Sequence, residues 1–572
     1  MLAITEAIVL VLAGFAWLKV LQIDHRSNAV EGVVLSLCLS LAAIMISSCL
    51  IIVARLPFQF VDYGVLVIAA GLTVVWLSTK PRLVVSGGKL RGLPKYWLPA
   101  ALFLFHLILW AIYLVSYPYF PNTEPPDAVF HAEITLSVLH GAFTTPIGPT
   151  GFAGGAHILF AFVSTYFGVG VIFAERATAA VVESLSILVA YCLFRRILPS
   201  RLAADYASVA FAIIVPAGFV YYSNVGAYPN IVGDFFVLTS LLFAVAIQSR
   251  LTVASIVTVV VVESIALISH VSALIFLLLV VGFSFVVFIR FRSQFRGYVI
   301  SNLGFFIIPI VGVIVAPFLV TRELSYVSGF YLDLHADWGL LLGEWIHNYL
   351  FLAGSVNFIL LMVGFAWAIL KLRSRIWPAF LTAWFSLLIV LVFIGTQDWR
   401  MVLLSFVPGA GLLGLLMSRV QEALENRVSP VIRGMQIRRI VVISLMLLFV
   451  VIMAAEGPSA FALGHAFSNG EGVRQRNIYG SMLWIQVNTS PNSVVASVAI
   501  PLEYRYLPVV TNRSYAGDFS LNATGIMTLQ SSSPFNYVAV STNFNALNTF
   551  YLSNSFRLEY QNPDVVIFRI QT

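Results

Sequence analysis

Long apolar runs separated by short polar connectors fill the chain up to about residue 456. A membrane-spanning helix needs about 20 consecutive apolar residues. By that length the runs predict spans near 4–22, 30–54, 58–79, 97–117, 171–194, 203–220 and 231–248. Further spans are expected near 251–269, 271–290, 298–320, 349–371, 377–395, 401–418 and 439–456. The total is about fourteen transmembrane helices, with boundaries good to a few residues. From residue 457 the pattern changes, and Ser, Asn, Thr and short β-branched runs replace the long apolar ones. The segments SVVASVAI, LPVVTN, FNYVAVS, RLEYQ and DVVIFRI read as strands, and NIYGSMLWIQVN as a helix before the first. The expected fold class is a polytopic α-helical membrane protein with a small C-terminal α/β domain.

Composition supports this picture, and charge orients it. The chain of 572 residues is 60% hydrophobic and 10% charged, against roughly 25% charged residues in a soluble domain. The 32 Lys and Arg outnumber the 25 Asp and Glu, for a net charge of +7. No nucleic-acid partner is implied, because the basic residues sit in short loops between apolar runs, as in the positive-inside pattern. Lys80, Arg82, Lys89, Arg91 and Lys95 place loop 80–95 in the cytoplasm. Alternation then puts Arg195, Arg196, Arg201, Arg290, Arg373 and Arg433 inside as well. The acidic loop 321–348 falls outside. Counting residues 155–168, GAHILFAFVSTYFG, as a span would reverse every later loop. They are therefore expected to form a helix lying at, or dipping into, the outer face. All of 118–170 and the C-terminal domain then lie outside, which makes this a multi-pass plasma-membrane protein with an extracytoplasmic C-terminal domain. The triplets at Asn488, Asn512 and Asn522 match the N-glycan acceptor pattern and fit that side. Cys38, Cys49 and Cys192 lie in apolar runs and suggest buried thiols rather than a disulfide framework or a zinc site. There is no Walker loop, Gly-rich dinucleotide turn or CxxC pair, so cytosolic nucleotide chemistry has no evident home.

Ionisable groups near membrane spans are costly and mark candidate sites. On the outer side they are Asp127, His131 and Glu133 in PPDAVFHAEI, His270 in LISHVSALI, and Asp398 and Arg400 in GTQDWRMVLL. Tyr221, Tyr222 and Tyr228 flank another outer turn. Each also has a plainer reading. Asp127 suits a helix N-cap, His270 a helix end, Asp398 with Arg400 an interfacial ion pair, and the tyrosines an aromatic belt. Asp127 and His131, four apart, share one helix face and form a candidate base pair or divalent-metal pair. Sugar transfer from a polyprenyl phosphate to a hydroxyl needs a base for the hydroxyl proton. It also needs positive charge where the phosphate departs. A carboxylate on an outer loop facing an Arg and a His would supply both.

These residues resemble the GT-C superfamily of polyprenyl-phosphate-sugar-dependent glycosyltransferases. PPDAVFHAEI is similar to that family's acidic motif in the first large outer loop, and GPTGFAGGAHILFAFV to the juxtamembrane stretch that follows. AYPNIVGDFFVL and SHVSALIFLLL resemble later span starts, and DWRMVLLSFVPGAGLLG the Arg-bearing span near the end of the module. The segment from GSMLWIQVN to FRI looks like the α/β domain of many members. The resemblance covers about 97–572 and divides the chain three ways: 1–96 as a three-span extension with its cytoplasmic loop, 97–456 as the GT-C-like module, and 457–572 as the extracytoplasmic domain. It implies Asp127 at the family's acidic catalytic position, acting as base or binding a metal, and Arg400, with His270, at the donor phosphate. His131, Glu133, Asp398 and Tyr228 would support them. Ala128 follows Asp127, so the adjacent acid pair of some members is missing and metal dependence is open. No WWDYG motif is present, which favours monosaccharide transfer over oligosaccharide transfer to protein. The expected partners are a polyprenyl-phosphate-linked sugar, a glycan, lipid or protein acceptor, and the bilayer. The competing class is a multispan transporter or lipid-linked-glycan flippase, for which Glu6, Glu31, Glu183 and Glu263, within or close to spans, would matter.

Overall fold

The computed structural model describes residues 2–21, 29–78, 97–116, 126–142, 154–215, 227–247, 252–270, 279–283, 353–371, 376–392, 398–428, 435–455, 471–500, 503–511, 513–530 and 535–571, with isolated positions between 286 and 350. The first helices are α1 (Leu2–Leu21), α2 (Ala29–Val53), α3 (Val61–Ser78) and α4 (Trp97–Ser116). Two shorter ones follow, α5 (Pro126–Leu139) and α6 (Gly155–Phe167). Next come α7 (Val171–Ile197), α8 (Arg201–Ile214), α9 (Tyr228–Ala246) and α10 (Val253–Ser269). The bundle ends with α11 (Ser355–Lys371), α12 (Ile376–Val392), α13 (Asp398–Val428) and α14 (Met435–Ala455). A helix satisfies its own backbone polar groups, which hydrocarbon cannot do, so apolar runs of this length fold this way. Polar ends mark the starts: Ser200 accepts from Ala203 N at α8, and Thr252 with Ser255 forms a capping box at α10.

Five stretches of the described residues are long and apolar enough to cross a membrane: Val30–Val53, Phe58–Ser78, Trp97–Leu114, Val171–Ile197 and Tyr228–Ala246. The expected count of about fourteen is not reproduced by that measure. The runs at 298–320 and most of 271–290 lie outside the described residues, as do loop 80–95 and most of 321–348. Helix α6, at 13 residues, rises only about 20 Å and is too short to span. It is packed inside the bundle, buried from Gly155 to Phe162 against α5, α7 and α2. Its final turn closes on Gly168 at φ +63, a conformation in which glycine meets no penalty.

Helix contacts use small residues and short polar links. A Cβ at Gly414 of α13 would come within 2.4 Å of the Ala203 carbonyl of α8, so only glycine permits that approach. Helices α1 to α3 pack on one another. They join the bundle through Trp17 Nε1, which donates to Thr258 Oγ1 at 2.8 Å, and through an ion pair of Glu31 with Arg196. All three cysteines are free thiols.

The C-terminal domain opens with α15 (Glu471–Asn488). Its five strands are β1 (Val494–Val498), β2 (Ser514–Phe519), β3 (Tyr537–Ser541), β4 (Phe556–Gln561) and β5 (Val565–Ile570). They form one sheet in the order β2-β1-β3-β5-β4. Strand β1 runs parallel to β2 and β3, with Val495 opposite Tyr537, and β5 is antiparallel to β3 and β4. Alternation along each strand splits the apolar residues between the faces. Val495, Tyr537, Ala539 and Ile567 meet α15, while Val538, Val540 and Phe568 meet α17 (Ala523–Gln530) and α18 (Leu547–Tyr551). Two local expectations are corrected. LPVVTN is not a strand: Leu507–Thr511 forms helix α16, with Pro508 in the first turn, where its missing N–H costs nothing. Burial of Leu507 and Val509 against α5 and α7 outweighs the β-branched character of Val509, Val510 and Thr511. SYAGDF, absent from the expected strands, is edge strand β2, bulged beside Gly517 at φ +130.

Candidate active site

Asp127 follows Pro126 at the start of α5, within the first turn, where a carboxylate is favoured by the helix dipole. Its side chain, like those of Asp398 and Arg400 in the first turn of α13, lies outside the described residues. What the structure does describe is how α5 is held. One turn beyond Asp127, His131 Nδ1 meets His157 Nε2 of α6 at 2.9 Å. A turn further on, Thr135 Oγ1 donates to Glu175 Oε1 of α7 at 2.6 Å. The opposite side of α5 is apolar: Ala132, Val129 and Leu136 share a cluster with Val171 and Ile172 of α7 and with Ile478, Met482, Leu507 and Val509 of the C-terminal domain. Helix α5 is thus clamped between bundle and domain.

His157 is buried, and burial followed by the neighbouring His131 holds its imidazole well below the usual histidine range. In the hydrogen-bonded pair one ring nitrogen donates and the other accepts. Glu133 is on the open side of α5, and partial burial raises its carboxyl above the ordinary range. The Asp127–His131 pair considered for a divalent metal gains His157 as a neighbour. Among the described residues no cluster of three or more His, Cys, Asp or Glu forms.

Two more of the expected residues reach the same end of the bundle. His270 caps α10, its N–H bonded to Ala266 O at 3.2 Å. Gly155 touches the turn before it, since a Cβ there would come within 2.8 Å of Ile268 O. That contact joins the starts of α6 and the end of α10, and so brings the chain at His157 and His270 into one neighbourhood. Tyr228, buried, opens α9, which packs on α6, α7 and α10. Helix α13 packs on α8, α11 and α12, whereas α5 packs on α6, α7 and α16.

The sequence reading missed Thr135, His157, Glu175 and Arg176. The adjacent charges of Glu175 and Arg176 inside an otherwise apolar run were the available signal. Arg176 is fully buried, with its guanidinium carbon 6.0 Å from the Tyr113 ring centroid, within cation–π range. None of its three nitrogens hydrogen-bonds a described residue. Tyr113 continues inward through edge-to-face contacts to Trp110 and His106, and His106 Nε2 lies 2.6 Å from Ala212 O of α8. A cavity of about 290 Å³ lies where α7 begins, lined by Val169 to Phe173, Tyr479, Val509 and Val510.

A multispan bundle, a short packed helix bearing an acid, and an appended α/β domain make up a fold that solved structures share. The apo oligosaccharyltransferase of Archaeoglobus fulgidus superposes with a TM-score of 0.51 at 14% identity, covering 78% of this chain and 70% of that one. ArnT of Cupriavidus metallidurans bound to undecaprenyl phosphate gives 0.51 at 14% identity, over 82% and 97% of the two chains. Archaeoglobus fulgidus AglB, in complex with an inhibitory peptide and a dolichol-phosphate, gives 0.50 at 14% identity, over 78% and 70%. At such identity the likeness is one of fold. No protein-family model matches the chain, and no curated protein matches it by sequence.

Proposed function

We propose that this protein is a membrane glycosyltransferase that moves a sugar from a polyprenyl-phosphate donor to an acceptor hydroxyl at the extracytoplasmic face. Asp127 acts as the base and the sugar–phosphate bond is cleaved with inversion. The observation that carries the reading is the clamping of α5 by His131–His157 and Thr135–Glu175 in a fold shared with ArnT and AglB. Such clamping fixes a first-turn acid on a rigid element, which a general base requires. Arg400 and His270 take the donor phosphate, a role for which a guanidinium is well matched. Arg176 adds buried positive charge at the same end of the bundle. His131, Glu133, Asp398 and Tyr228 shape the surroundings, and a divalent metal at Asp127 and His131 is an optional element.

The test is transfer by purified protein from a synthetic polyprenyl-phosphate sugar in the absence of any ion gradient. Asp127→Ala is expected to lower the rate by about a hundredfold or more with normal insertion and expression. Full activity in that variant sinks the assignment. The rival transporter or flippase reading is favoured by Glu183 and Glu263, both buried within α7 and α10. It requires gradient-driven movement of substrate without sugar transfer.

A further inference from the structure

We infer that the C-terminal domain carries a carbohydrate-binding platform on the seam between α15 and β4, built around Trp484 and Tyr560. The two rings stack with centroids 5.4 Å apart and planes inclined by 28°, and both are half-buried, so each keeps surface toward solvent. Stacking alone would be ordinary packing. Three further features point to a ligand.

The first is Gly480. It lies in the interior of α15, where glycine is destabilising relative to alanine. No backbone approach demands it: a Cβ there would meet only Tyr560 Oη, at 4.0 Å. The glycine therefore leaves a notch above the tyrosine hydroxyl that no neighbouring group fills. That space lies open beside the aromatic pair.

The second is the wall beside the notch. Asn477, one turn before Gly480, donates through Nδ2 to Asp564 Oδ2 at 2.6 Å. Asn562 Nδ2 donates to Asn477 O at 2.7 Å and to Tyr560 Oη at 3.2 Å, while its Oδ1 accepts from the backbone of Asp564 and Val565. The tyrosine is thus held in one pose by a network that is itself anchored. Asn477 Oδ1 and Asp564 Oδ1 accept no hydrogen bond among the described residues, so planar acceptors stand beside an aromatic floor.

The third is chemical complementarity. The ring face of Trp or Tyr is electron-rich, and the C–H groups on one face of a pyranose carry partial positive charge. The sugar's hydroxyls, projecting at the ring edge, match amide and carboxylate acceptors. A peptide strand would instead seek the open edge of β4, which is guarded by the charged pair Arg557 and Glu559. The ligand class is a neutral glycan presenting pyranose rings. The platform goes beyond the transfer reading and does not involve Asp127.

The test uses the full chain in detergent with gluco-, manno- and galacto-oligosaccharides as probes, followed by saturation-transfer NMR and tryptophan fluorescence. At least one series is expected to bind, and Trp484→Ala, Tyr560→Ala and Gly480→Leu should each weaken it about tenfold or more. Gly480→Leu fills the notch with a good helix former, so it reports on the space even if an aromatic variant fails to fold. Asp127→Ala should bind the same sugars unchanged, which separates failure of this inference from failure of the transfer reading. No binding by any series, or binding unaltered in all three platform variants, overturns the proposal.

Discussion

The helical bundle and the C-terminal domain sort their residues by opposite rules. In the bundle Glu31, Glu175, Arg176, Glu183 and Glu263 are buried, while Val67 and Leu370 are more than two-thirds exposed at 71% and 79%. In the domain no charged side chain among the described residues is buried; the polar groups that are, such as Ser481 and Ser497, are neutral. The physical reason is the solvent. Hydrocarbon rejects a charge more strongly than a protein interior does, so in the bundle burial is the lesser cost. Water welcomes the charge, so the domain keeps Arg513, Arg557 and Glu559 within its reach. A buried acid in the bundle gains most weight when a short contact ties it to a functional element, as Glu175 is tied to Thr135 of α5.

The two regions should respond differently to substitution, and the largest effect is expected inside the bundle, where α6 meets α10. Gly155→Val forces a side chain into the carbonyl of Ile268. Overpacking of this kind should cost about 3 kcal/mol and separate α6 from α10. It is read as a lower melting temperature of the bundle, with the sheet of the domain still folded. Unchanged melting would mean that the contact does not hold the site together.

Arg513→Ala comes next. The guanidinium donates to Gln486 O and Thr489 O, closing the end of α15, and to Thr511 O and Thr489 Oγ1. A loss of about 2 kcal/mol is expected in the domain alone, measured by protease sensitivity of the 471–571 region. Loss in the bundle instead would erase the contrast drawn above.

Thr258→Val removes the acceptor of Trp17 Nε1, the bundle counterpart of those links. Interhelical hydrogen bonds in membranes average about 0.6 kcal/mol, because helices separated in lipid also find partners. Steric-trapping measurements should therefore show a smaller effect than Arg513→Ala gives in the domain. An effect above it would reverse the ordering.

The smallest effect concerns pH. Burial raises the Asp518 carboxyl from its ordinary value of 3.8, against opposing hydrogen bonds from Ser497 and Ile500. An acid with a raised folded-state pKa favours folding fully below its unfolded value, and that contribution is lost as pH rises through the raised value. Asp518→Asn should flatten this acid-range slope in domain melting, while the bundle's pH profile stays unchanged.

Much of the architecture was legible because it depends on short-range pattern. Apolar runs of sufficient length predicted the helices from α1 to α4 and α7 with little error, and short β-branched runs marked β1, β3, β4 and β5. The failures had tertiary causes. LPVVTN became α16 because its apolar residues are buried against α5 and α7, and SYAGDF became β2 because β1 offered it an edge. At the site, PPDAVFHAEI marked α5 correctly, but nothing local in GAHILF showed that His157 would face His131.

The sequence by itself determined the membrane character, the positions of most helices and the place of Asp127 at a helix start, since each follows from hydropathy and capping within a few turns of chain. Only the tertiary structure decided which polar groups meet: His131 with His157 across 26 residues, Thr135 with Glu175 across 40, and Asn477 with Asp564 across 87. Such pairings depend on helix rotation and sheet order, which are set by the packing of the whole molecule and leave no periodic trace along the chain.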